Sequence, residues 1–169
     1  ADHQGADPPR ERQDAGRGLW LKGDGRGDLR PVPGQESGIT VYGEQRGCAL
    51  GDFDRDGRPD LVVTQNGAAT QLYRNVRGRP GLRVRLAGPA ENRHGIGASV
   101  RLKFGERYGP RHEIHAGSGY LSDDSRTLVF GTPTPATELE VRWPDGSRTV
   151  SALPADAAEI VARPPDKSR

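Results

Sequence analysis

The stretch that decides the fold of this chain is residues 51–63, "GDFDRDGRPDLVV". It contains four aspartates at alternate or nearly alternate positions, namely Asp52, Asp54, Asp56 and Asp60. Carboxylates spaced in this way can turn inward around a cation, while Gly57 permits the backbone angles of a sharp turn. The apolar run that begins at Leu61 is rich in β-branched residues, which favour a strand. The stretch therefore predicts an acidic loop that leads directly into a β-strand.

The position of the fourth carboxylate separates this loop from a helical calcium motif. An EF-hand loop requires a glutamate at its twelfth position. Counted from Asp52, that position is Val63, and the fourth carboxylate stands at the ninth position, at Asp60. The flanking segments "RGCAL" and "LVVTQ" have the character of strands. We therefore predict that the loop joins two strands of a hairpin.

The charge of the loop favours a bound cation over a bare acidic turn. Four carboxylates within nine residues repel one another unless something neutralises them. Ca²⁺ accepts six to eight oxygen ligands in a flexible arrangement, whereas Mg²⁺ prefers compact octahedral sites and retains water. The main-chain carbonyl of Arg58, at the seventh position, can add an oxygen. We therefore predict Ca²⁺ as the cofactor and keep an ion-free surface turn as the alternative.

The composition of the whole chain favours short strands joined by turns. Its 169 residues include 24 Gly and 14 Pro, and only 32% are hydrophobic. Basic and acidic residues number 25 and 23 and are mixed along the sequence, so nucleic acid is not predicted as a partner. No run reaches the roughly 20 apolar residues that a membrane helix needs, so no membrane span is predicted. Cys48, the single cysteine, is predicted to be a small buried residue.

Alternation of apolar and charged residues supports an all-β fold. In "LRVRL" at 82–86 the apolar residues share one face and the arginines share the other, as a half-buried antiparallel strand requires. The segments "SVRLKF" at 99–104 and "LEVRW" at 139–143 repeat this pattern. "PADAAEIVA" at 154–162 could form a short helix or a final strand. These strands predict a compact antiparallel β-sandwich or barrel in the second half of the chain.

The acidic loop and its flanking strands resemble the calcium loops of FG-GAP or VCBS repeats, the blades of integrin-type β-propellers. The resemblance rests on the pattern D-x-D-x-D-G-x-x-D between two strands and covers about residues 46–75. It implies that Phe53 and Leu61 pack beneath the loop. The calcium ligands that it implies are the carboxylates of Asp52, Asp54, Asp56 and Asp60 and the carbonyl of Arg58.

A weak internal repeat agrees with a propeller. "LWLKGDGRG" and "LYRNVRGRP" share a hydrophobic pair, a basic residue and a Gly-containing turn, and they place Trp20 and Tyr73 53 residues apart (73 − 20). Propeller blades repeat about every 40 to 50 residues. The chain has room for one blade and a fraction. Either the rest of a propeller comes from the same precursor or from another chain, or the blade strands join the second domain.

Three segments of the second half resemble the ASPIC/UnbV domain, which follows FG-GAP repeats in the cartilage-acidic-protein-like family. They are "NRHGIGASVRL" at 92–102, "HAGSGYLSDDSRTLVFG" at 115–131 and "LEVRWPDGSRTV" at 139–150. The resemblance begins at about Gly81, and it offers no catalytic residues. His94 departs from it, because the family usually has an acidic residue there. The glycines of "GIGAS" predict a close approach of backbones, and "WPDG" predicts a hairpin turn.

Together these features predict four parts in the chain. They are a disordered tail at 1–17, a partial FG-GAP/VCBS propeller segment at 18–79, an ASPIC/UnbV β-domain at 80–163 and a disordered tail at 164–169. Both tails are rich in charge and Pro and lack the large apolar residues whose burial offsets the entropy of ordering.

Two further motifs are weaker candidates for ion sites. In "HEIH", His112 and His115 are three positions apart rather than four, and on a strand they point to opposite faces, so a zinc site is not favoured. Asp123 and Asp124 form another acidic pair that could hold an ion or make surface contacts.

Two aromatic residues raise the question of a sugar-binding platform. Tyr120 and Trp143 are predicted to pack in the core or at its rim rather than to stack on sugars.

The predicted function is that of a noncatalytic, calcium-binding interaction or scaffolding module outside the cytoplasm. We expect an extracellular or periplasmic location and a protein or a glycan as the partner. An enzyme, or an accessory subunit of a biosynthetic enzyme, is the alternative, although the sequence supplies no clear catalytic set. A further alternative is integrin-type adhesion through the tripeptide Arg26, Gly27 and Asp28, which also fits a Gly-rich turn.

Overall fold

The computed structural model describes residues 18–166, and this part of the chain is almost entirely β-structure. The all-β prediction is therefore confirmed. The predicted tail at 1–17 lies outside the described residues, as do residues 167–169 of the other predicted tail.

Short strands account for nearly all regular structure between residues 18 and 166. Only one helical turn, α1 (Gly34–Ser37), and one 3₁₀ turn (Ala90–Asn92) interrupt them there. In chain order the strands are β1 (Trp20–Gly23), β2 (Leu29–Val32), β3 (Glu44–Gly51), β4 (Asp60–Asn66), β5 (Gln71–Tyr73), β6 (Leu82–Leu86), β7 (Ser99–Phe104), β8 (Arg107–Tyr108), β9 (His112–Glu113), β10 (Leu128–Phe130), β11 (Glu138–Arg142), β12 (Arg148–Ala152) and β13 (Glu159–Ala162). No helix in this part is long and apolar enough to cross a membrane.

The described strands form four sheets, two in each half of the chain. The first half contains the hairpin β1-β2 and a three-stranded sheet in the order β3-β4-β5. The second half contains a three-stranded sheet in the order β10-β6-β13 and a five-stranded sheet in which β12, β11 and β7 are neighbours and both β8 and β9 pair with β7. Each of these sheets is open.

One strand pair corrects the prediction of a purely antiparallel second half. β13 runs parallel to β6, with Ile160 opposite Val84. Antiparallel neighbours can be joined by a hairpin, whereas parallel neighbours need a long connection. β13 follows β12 of the other sheet and crosses to β6 after a turn that Pro154 and Ala157 close by a main-chain hydrogen bond of 3.1 Å. The segment that could have been a helix is thus a turn followed by the last strand.

The core lies between the two sheets of the second half. The alternating apolar residues of β6 face those of β7 and β11, as the sequence pattern predicts. All of the clustered core residues fall within 82–162: Leu82, Val84, Leu86, Ala98, Val100, Leu102, Ile114, Phe130, Ala136, Leu139, Val141, Trp143 and Ala162. The prediction of core packing is confirmed for Trp143, whose indole N–H donates to Thr149 Oγ1 at 2.9 Å.

Two glycines have the backbone roles that the sequence predicts. Gly95 has φ +66°, and a Cβ there would lie 2.7 Å from Leu86 Cδ1, so the close approach is confirmed. Gly146 has φ +85° and lies in the turn between β11 and β12, where its N–H donates to the carbonyl of Trp143 at 2.9 Å. The predicted "WPDG" hairpin turn is therefore also confirmed.

Side chains of the first half are buried much less than those of the second half. Every residue of β1 is exposed, and Cys48 on β3 is exposed, so the prediction of a buried cysteine is wrong. The reason is that a three-stranded sheet leaves part of its surface uncovered. The internal repeat does not produce equivalent strands either, because Trp20 lies in a two-stranded hairpin and Tyr73 lies in a three-stranded sheet.

Candidate metal centre

The acidic loop joins two antiparallel strands, as predicted. Gly51 at the end of β3 is opposite Asp60 at the start of β4. The loop between them turns sharply, and Arg55 and Gly57 have φ values of 61° and 81°. Glycine accepts this conformation without a steric penalty, whereas arginine rarely adopts it. The surrounding hydrogen bonds therefore hold the loop in a defined shape.

Three of the predicted ligands converge in space. One carboxylate oxygen from each of Asp52, Asp54 and Asp60 lies within 4.8 Å of the other two. Ligand oxygens on Ca²⁺ lie about 2.3 to 2.6 Å from the ion, so two oxygens on opposite sides are about 4.6 to 5.2 Å apart. This donor set therefore fits a calcium ion. Within residues 18–166 no other group of three acidic, histidine or cysteine side chains is arranged in this way.

The fourth carboxylate is directed elsewhere. Asp56 forms an ion pair with the guanidinium of Arg58 and is not one of the converging three. Its main-chain N–H donates to Asp52 Oδ1 at 3.0 Å. The Arg58 side chain is also held by the carbonyl of Asn75, to which its Nε donates at 2.8 Å. The structure thus brings together three of the four predicted carboxylates, and the carbonyl of Arg58 remains a predicted ligand.

Asp60 fastens the loop to the sheet. It is 3% exposed, and its two oxygens accept main-chain hydrogen bonds from both sides of the loop. Oδ2 accepts from the N–H of Phe53 at 2.9 Å, and Oδ1 accepts from the N–H of Asn75 at 2.8 Å. Because these donors hold both of its oxygens, Asp60 is a structural clasp of the loop with a fixed orientation.

Three arginines neutralise most of the charge of the loop. Arg83 pairs with Asp52, Arg74 pairs with Asp54, and Arg58 pairs with Asp56. The sequence argument assigned this neutralisation to a bound cation. The arginines provide much of it from within the chain, so repulsion alone does not require an ion. The feature that remains specific to an ion site is the convergence of oxygens from Asp52, Asp54 and Asp60.

Two pKa shifts reflect these pairs. Partial burial acts to raise the pKa of Asp54, but the hydrogen bond and charge of Arg74 outweigh it and lower the pKa below its usual value. Burial acts to lower the pKa of Arg83, and its hydrogen bonds to Glu159 and Asp52 raise it above the usual value. Both groups are therefore charged at neutral pH.

The loop also contacts the second half of the chain. Arg83 belongs to β6, and its partner Asp52 has a side chain that is 1% exposed. The N–H of Gly81 donates to the carbonyl of Gly57 at 2.8 Å. An ion bound in the loop would therefore lie next to the junction between the two halves.

The structure contradicts the packing that the resemblance implied for Phe53. This side chain is 76% exposed, whereas Leu61 is half-buried. The main chain of Phe53 is held by Asp60, to which its N–H donates, while its ring lies at the surface.

The other predicted motifs do not form metal sites among the described residues. His112 packs edge-on against Phe130 with ring centroids 4.9 Å apart, and His115 Nδ1 lies 3.8 Å from Glu113 Oε1. Asp123 accepts from the N–H of Gly117 at 3.1 Å and pairs with Arg126. These contacts are structural.

The remaining predicted residues lie at the surface. Asp124 makes the surface contact that the sequence allowed for it, because its Oδ1 accepts from the N–H of Leu50 at 2.7 Å. Tyr120 is 71% exposed and therefore does not pack in the core.

Sequence reasoning missed the arginines and the asparagine that complete the site. The alternation predicts only that Arg83 lies on the polar face of its strand, and no sequence pattern indicates a role for Arg74 or Asn75. The signal that could have found Arg83 is the same alternation in "LRVRL", which places it on the face opposite the core. The alternation does not show that this face contacts the acidic loop, because that contact is tertiary.

Comparisons with known proteins find a family match in the second half of the chain. Residues 88–168 match the family model described as ASPIC and UnbV. This match agrees with the resemblance of the second half to the ASPIC/UnbV domain. The FG-GAP/VCBS character of the first half stays a prediction.

Two curated relatives are similar to a larger part of the chain. Cartilage acidic protein 1 of Xenopus tropicalis is 33% identical over 109 residues, which cover 62% of this chain and 17% of that protein. Cartilage acidic protein 1 of Mus musculus is 30% identical over 139 residues, which cover 78% of this chain and 22% of that protein. The chain thus spans about a fifth of the length of these relatives.

Proposed function

We propose that the loop at 52–60 binds Ca²⁺ and that the protein is a noncatalytic interaction or scaffolding module outside the cytoplasm. The observation that carries this proposal is the convergence of oxygens from Asp52, Asp54 and Asp60 within 4.8 Å of one another. The bound ion would stiffen the junction between the sheet β3-β4-β5 and the second half.

The three converging carboxylates differ in how firmly hydrogen bonds and ion pairs hold them in place. Asp60 is held by two main-chain donors, and Asp52 is held by the N–H groups of Asp56 and Gly57, each at 3.0 Å. Asp54 is the adjustable ligand, because its partner Arg74 has a side chain that is 60% exposed and can swing away. When bound, Ca²⁺ would supply a divalent charge that links these carboxylates. The carbonyl of Arg58 and water would complete its coordination.

The proposed location follows from similarity. The relatives are named for cartilage, and we infer by similarity that this chain also works outside the cytoplasm, in an extracellular or periplasmic compartment. Calcium modules with modest affinity suit such compartments.

The cavities favour a binding module over an enzyme. Two cavities of about 250 and 160 Å³ are smaller than the roughly 300 to 1,000 Å³ of small-molecule sites. The smaller one is lined by His112, His115 and Asp123, which are residue types that serve in acid–base chemistry. Their contacts with Phe130, Glu113 and Arg126 are structural, so they do not converge on a substrate position.

The first half offers a surface for a protein partner. Leu50 and Leu72 are about half exposed and line the larger cavity together with Phe53. Clustered apolar residues at a surface favour an interaction site. We place the rest of a propeller here, supplied by the same precursor or by another chain.

Calcium binding is tested on the full chain by titration calorimetry and by thermal unfolding with calcium or with a chelator. We expect measurable heat and a higher unfolding midpoint, since a ligand at 100 times its Kd stabilises the folded state by about 2.7 kcal/mol. Asp54→Asn should weaken binding, whereas Asp156→Asn, at an exposed turn of the second half, should not. A chain that shows no heat and the same midpoint in calcium and chelator would contradict the proposal.

Adhesion is a second candidate because of where its tripeptide lies. Arg26, Gly27 and Asp28 are exposed in the turn between β1 and β2, and Asp24 Oδ1 accepts from the N–H of Arg26 at 2.6 Å. Cell attachment to immobilised protein tests this candidate. Asp28→Glu should abolish attachment, and Asp156→Glu, at an exposed turn of the second half, should not; equal attachment by wild type and Asp28→Glu would exclude this candidate.

A further inference from the structure

The outward face of the five-stranded sheet carries four arginines, three of which pair with one carboxylate. We call this surface the arginine face, and it consists of Arg101, Arg111, Arg142, Arg148 and Glu140. Arg101 is on β7, Glu140 and Arg142 are on β11, and Arg148 is on β12. It lies on the side of this sheet opposite the core and does not include any residue of the acidic loop.

Glu140 holds three of these guanidinium groups. Its Oε1 accepts from Arg101 Nε at 2.7 Å and from Arg111 Nη2 at 2.8 Å, and its Oε2 accepts from Arg101 Nη2 at 3.1 Å and from Arg148. The hydrogen bond from Arg101, with those from Arg111 and Arg148, lowers the pKa of Glu140 to about 2 despite its burial. One negative charge thus meets three positive charges, which leaves an excess of two.

The fourth arginine adds an unfavourable neighbour. Arg142 and Arg148 are directly opposite each other on adjacent antiparallel strands, and both are exposed. Like charges in this position destabilise a sheet. Arg142 has no ion pair or side-chain hydrogen bond within residues 18–166 to relieve the repulsion. An anion bound between the two guanidinium groups would relieve it.

The arginine face also has guanidinium N–H donors that Glu140 does not use, and an aromatic ring lies beside it. The side chains of Arg111 and Arg148 are 38% and 54% exposed. Each guanidinium has five N–H donors, and Arg148 uses a single nitrogen to reach Glu140. The ring of Tyr108 lies 3.7 Å from Arg101 Cζ, and Tyr108 is itself 45% exposed.

We propose that the arginine face binds an anionic polysaccharide through its carboxylate or sulfate groups. Guanidinium groups bind such anions through paired hydrogen bonds. The main-chain groups of β7 and β11 are engaged in the sheet, so recognition at these two strands is by side chains, which suits repeated anionic groups better than a peptide strand. The exposed ring of Tyr108 can pack against a sugar.

The low net charge of the chain means that attraction of a polyanion must come from the arginine face itself. The chain carries a net charge of only +2, so a polyanion would not be held by a general positive field. Binding would therefore depend on particular arginines rather than on the number of basic residues.

The proposal is tested by affinity measurements with the full chain in buffered saline. The probes are heparin, which is sulfated, hyaluronate, which has carboxylates only, poly-L-glutamate and neutral dextran. We expect heparin or hyaluronate to bind, and the stronger of the two identifies the preferred anion. The double variant Arg142→Ser/Arg148→Ser should weaken that binding by about ten-fold or more. The matched control Arg77→Ser/Arg79→Ser removes the same charge from exposed positions of the first half and should change it by less than about two-fold.

Three results would overturn the proposal. They are the absence of binding to both polysaccharides, an equal loss of affinity in the two double variants, and binding of poly-L-glutamate at least as tight as that of the polysaccharides. The last result would assign the arginine face to an acidic protein segment. If the double variant fails to fold, Arg142→Ser alone decides the question, because Arg142 makes no contact with Glu140 and its loss leaves that cluster intact. Unchanged affinity in this variant counts against the proposal.

Discussion

The two halves of the chain are held together by different forces. The second half has a continuous apolar core between two sheets, and all of its clustered core residues lie within 82–162. The first half buries few large side chains, among them Val32, Val41 and Val63, and relies on the charged contacts of the acidic loop. The stability of the second half should therefore respond mainly to loss of apolar volume. The first half should respond mainly to loss of charge, to salt and to calcium.

The largest expected effect comes from the core of the second half. Leu102 is 1% exposed between the two sheets. Leu102→Ala should lower the free energy of unfolding by about 2 to 5 kcal/mol, since it removes buried methyl groups and leaves a cavity. Chemical denaturation measures this change, and Val150→Ala at an exposed position of β12 is the control. A loss below 1 kcal/mol would show that this core is loosely packed.

A smaller and more local effect is expected at the clasp of the first half. Asp60→Ala leaves the N–H groups of Phe53 and Asn75 without their acceptor and should cost about 2 to 3 kcal/mol. Hydrogen exchange should show lost protection in β3 to β5 and unchanged protection in β7 and β11. If protection falls equally in both halves, the chain unfolds as one cooperative unit and the contrast between them fails.

Acid should also affect the second half, through Glu140. Its folded-state pKa of about 2 lies below the ordinary 4.5, so its charged form stabilises the fold above pH 4.5, and this contribution is lost as the pH falls toward 2. We expect a loss of about 1 to 2 kcal/mol across that range. In Glu140→Gln this part of the pH dependence should disappear from urea midpoints measured at each pH. The same slope in wild type and variant would rule out Glu140 as its source.

The smallest effect is expected at the exposed edge of the loop. Arg74→Gln removes the partner of Asp54 and, without calcium, should shift the unfolding midpoint by about 2 °C or less, because exposed ion pairs contribute little. The same change should increase calcium affinity, since it removes a positive charge beside a ligand. Calorimetry on wild type and Arg74→Gln measures this, with Arg77→Gln as the control. Weaker calcium binding in Arg74→Gln would mean that Arg74 orients Asp54 rather than competing for it.

Local patterns in the sequence were enough to predict the all-β class and several individual elements. The alternation in 82–86, 99–104 and 139–143 identified three core strands, because period-two alternation directly reports which side of a sheet is buried. The hairpin at the acidic loop followed from the position of Asp60 directly before an apolar run. These predictions needed only neighbours along the chain.

What the sequence did not reveal depends on contacts between distant residues. Arg83 meets Asp52 across 31 positions, and Arg101 meets Glu140 across 39. Such pairs depend on strand register and on how the halves dock, which local alternation does not specify. For the same reason the sequence showed mixed charges where the fold forms an arginine face. The exposure of Cys48 and the parallel β13 likewise follow from which strands become neighbours.

The contacts of Leu50 affect which edge of the sheet β3-β4-β5 can accept another strand. The N–H of Leu50 donates to Asp124 Oδ1 at 2.7 Å, and its carbonyl accepts from the N–H of Ser125 at the same distance. A segment of the second half thus occupies hydrogen-bonding groups at the outer edge of β3, where another strand would otherwise add. β5 has no second strand beside it among the described residues. A strand from another chain that joined this sheet would therefore meet fewer occupied main-chain groups next to β5 than at the Leu50 end of β3.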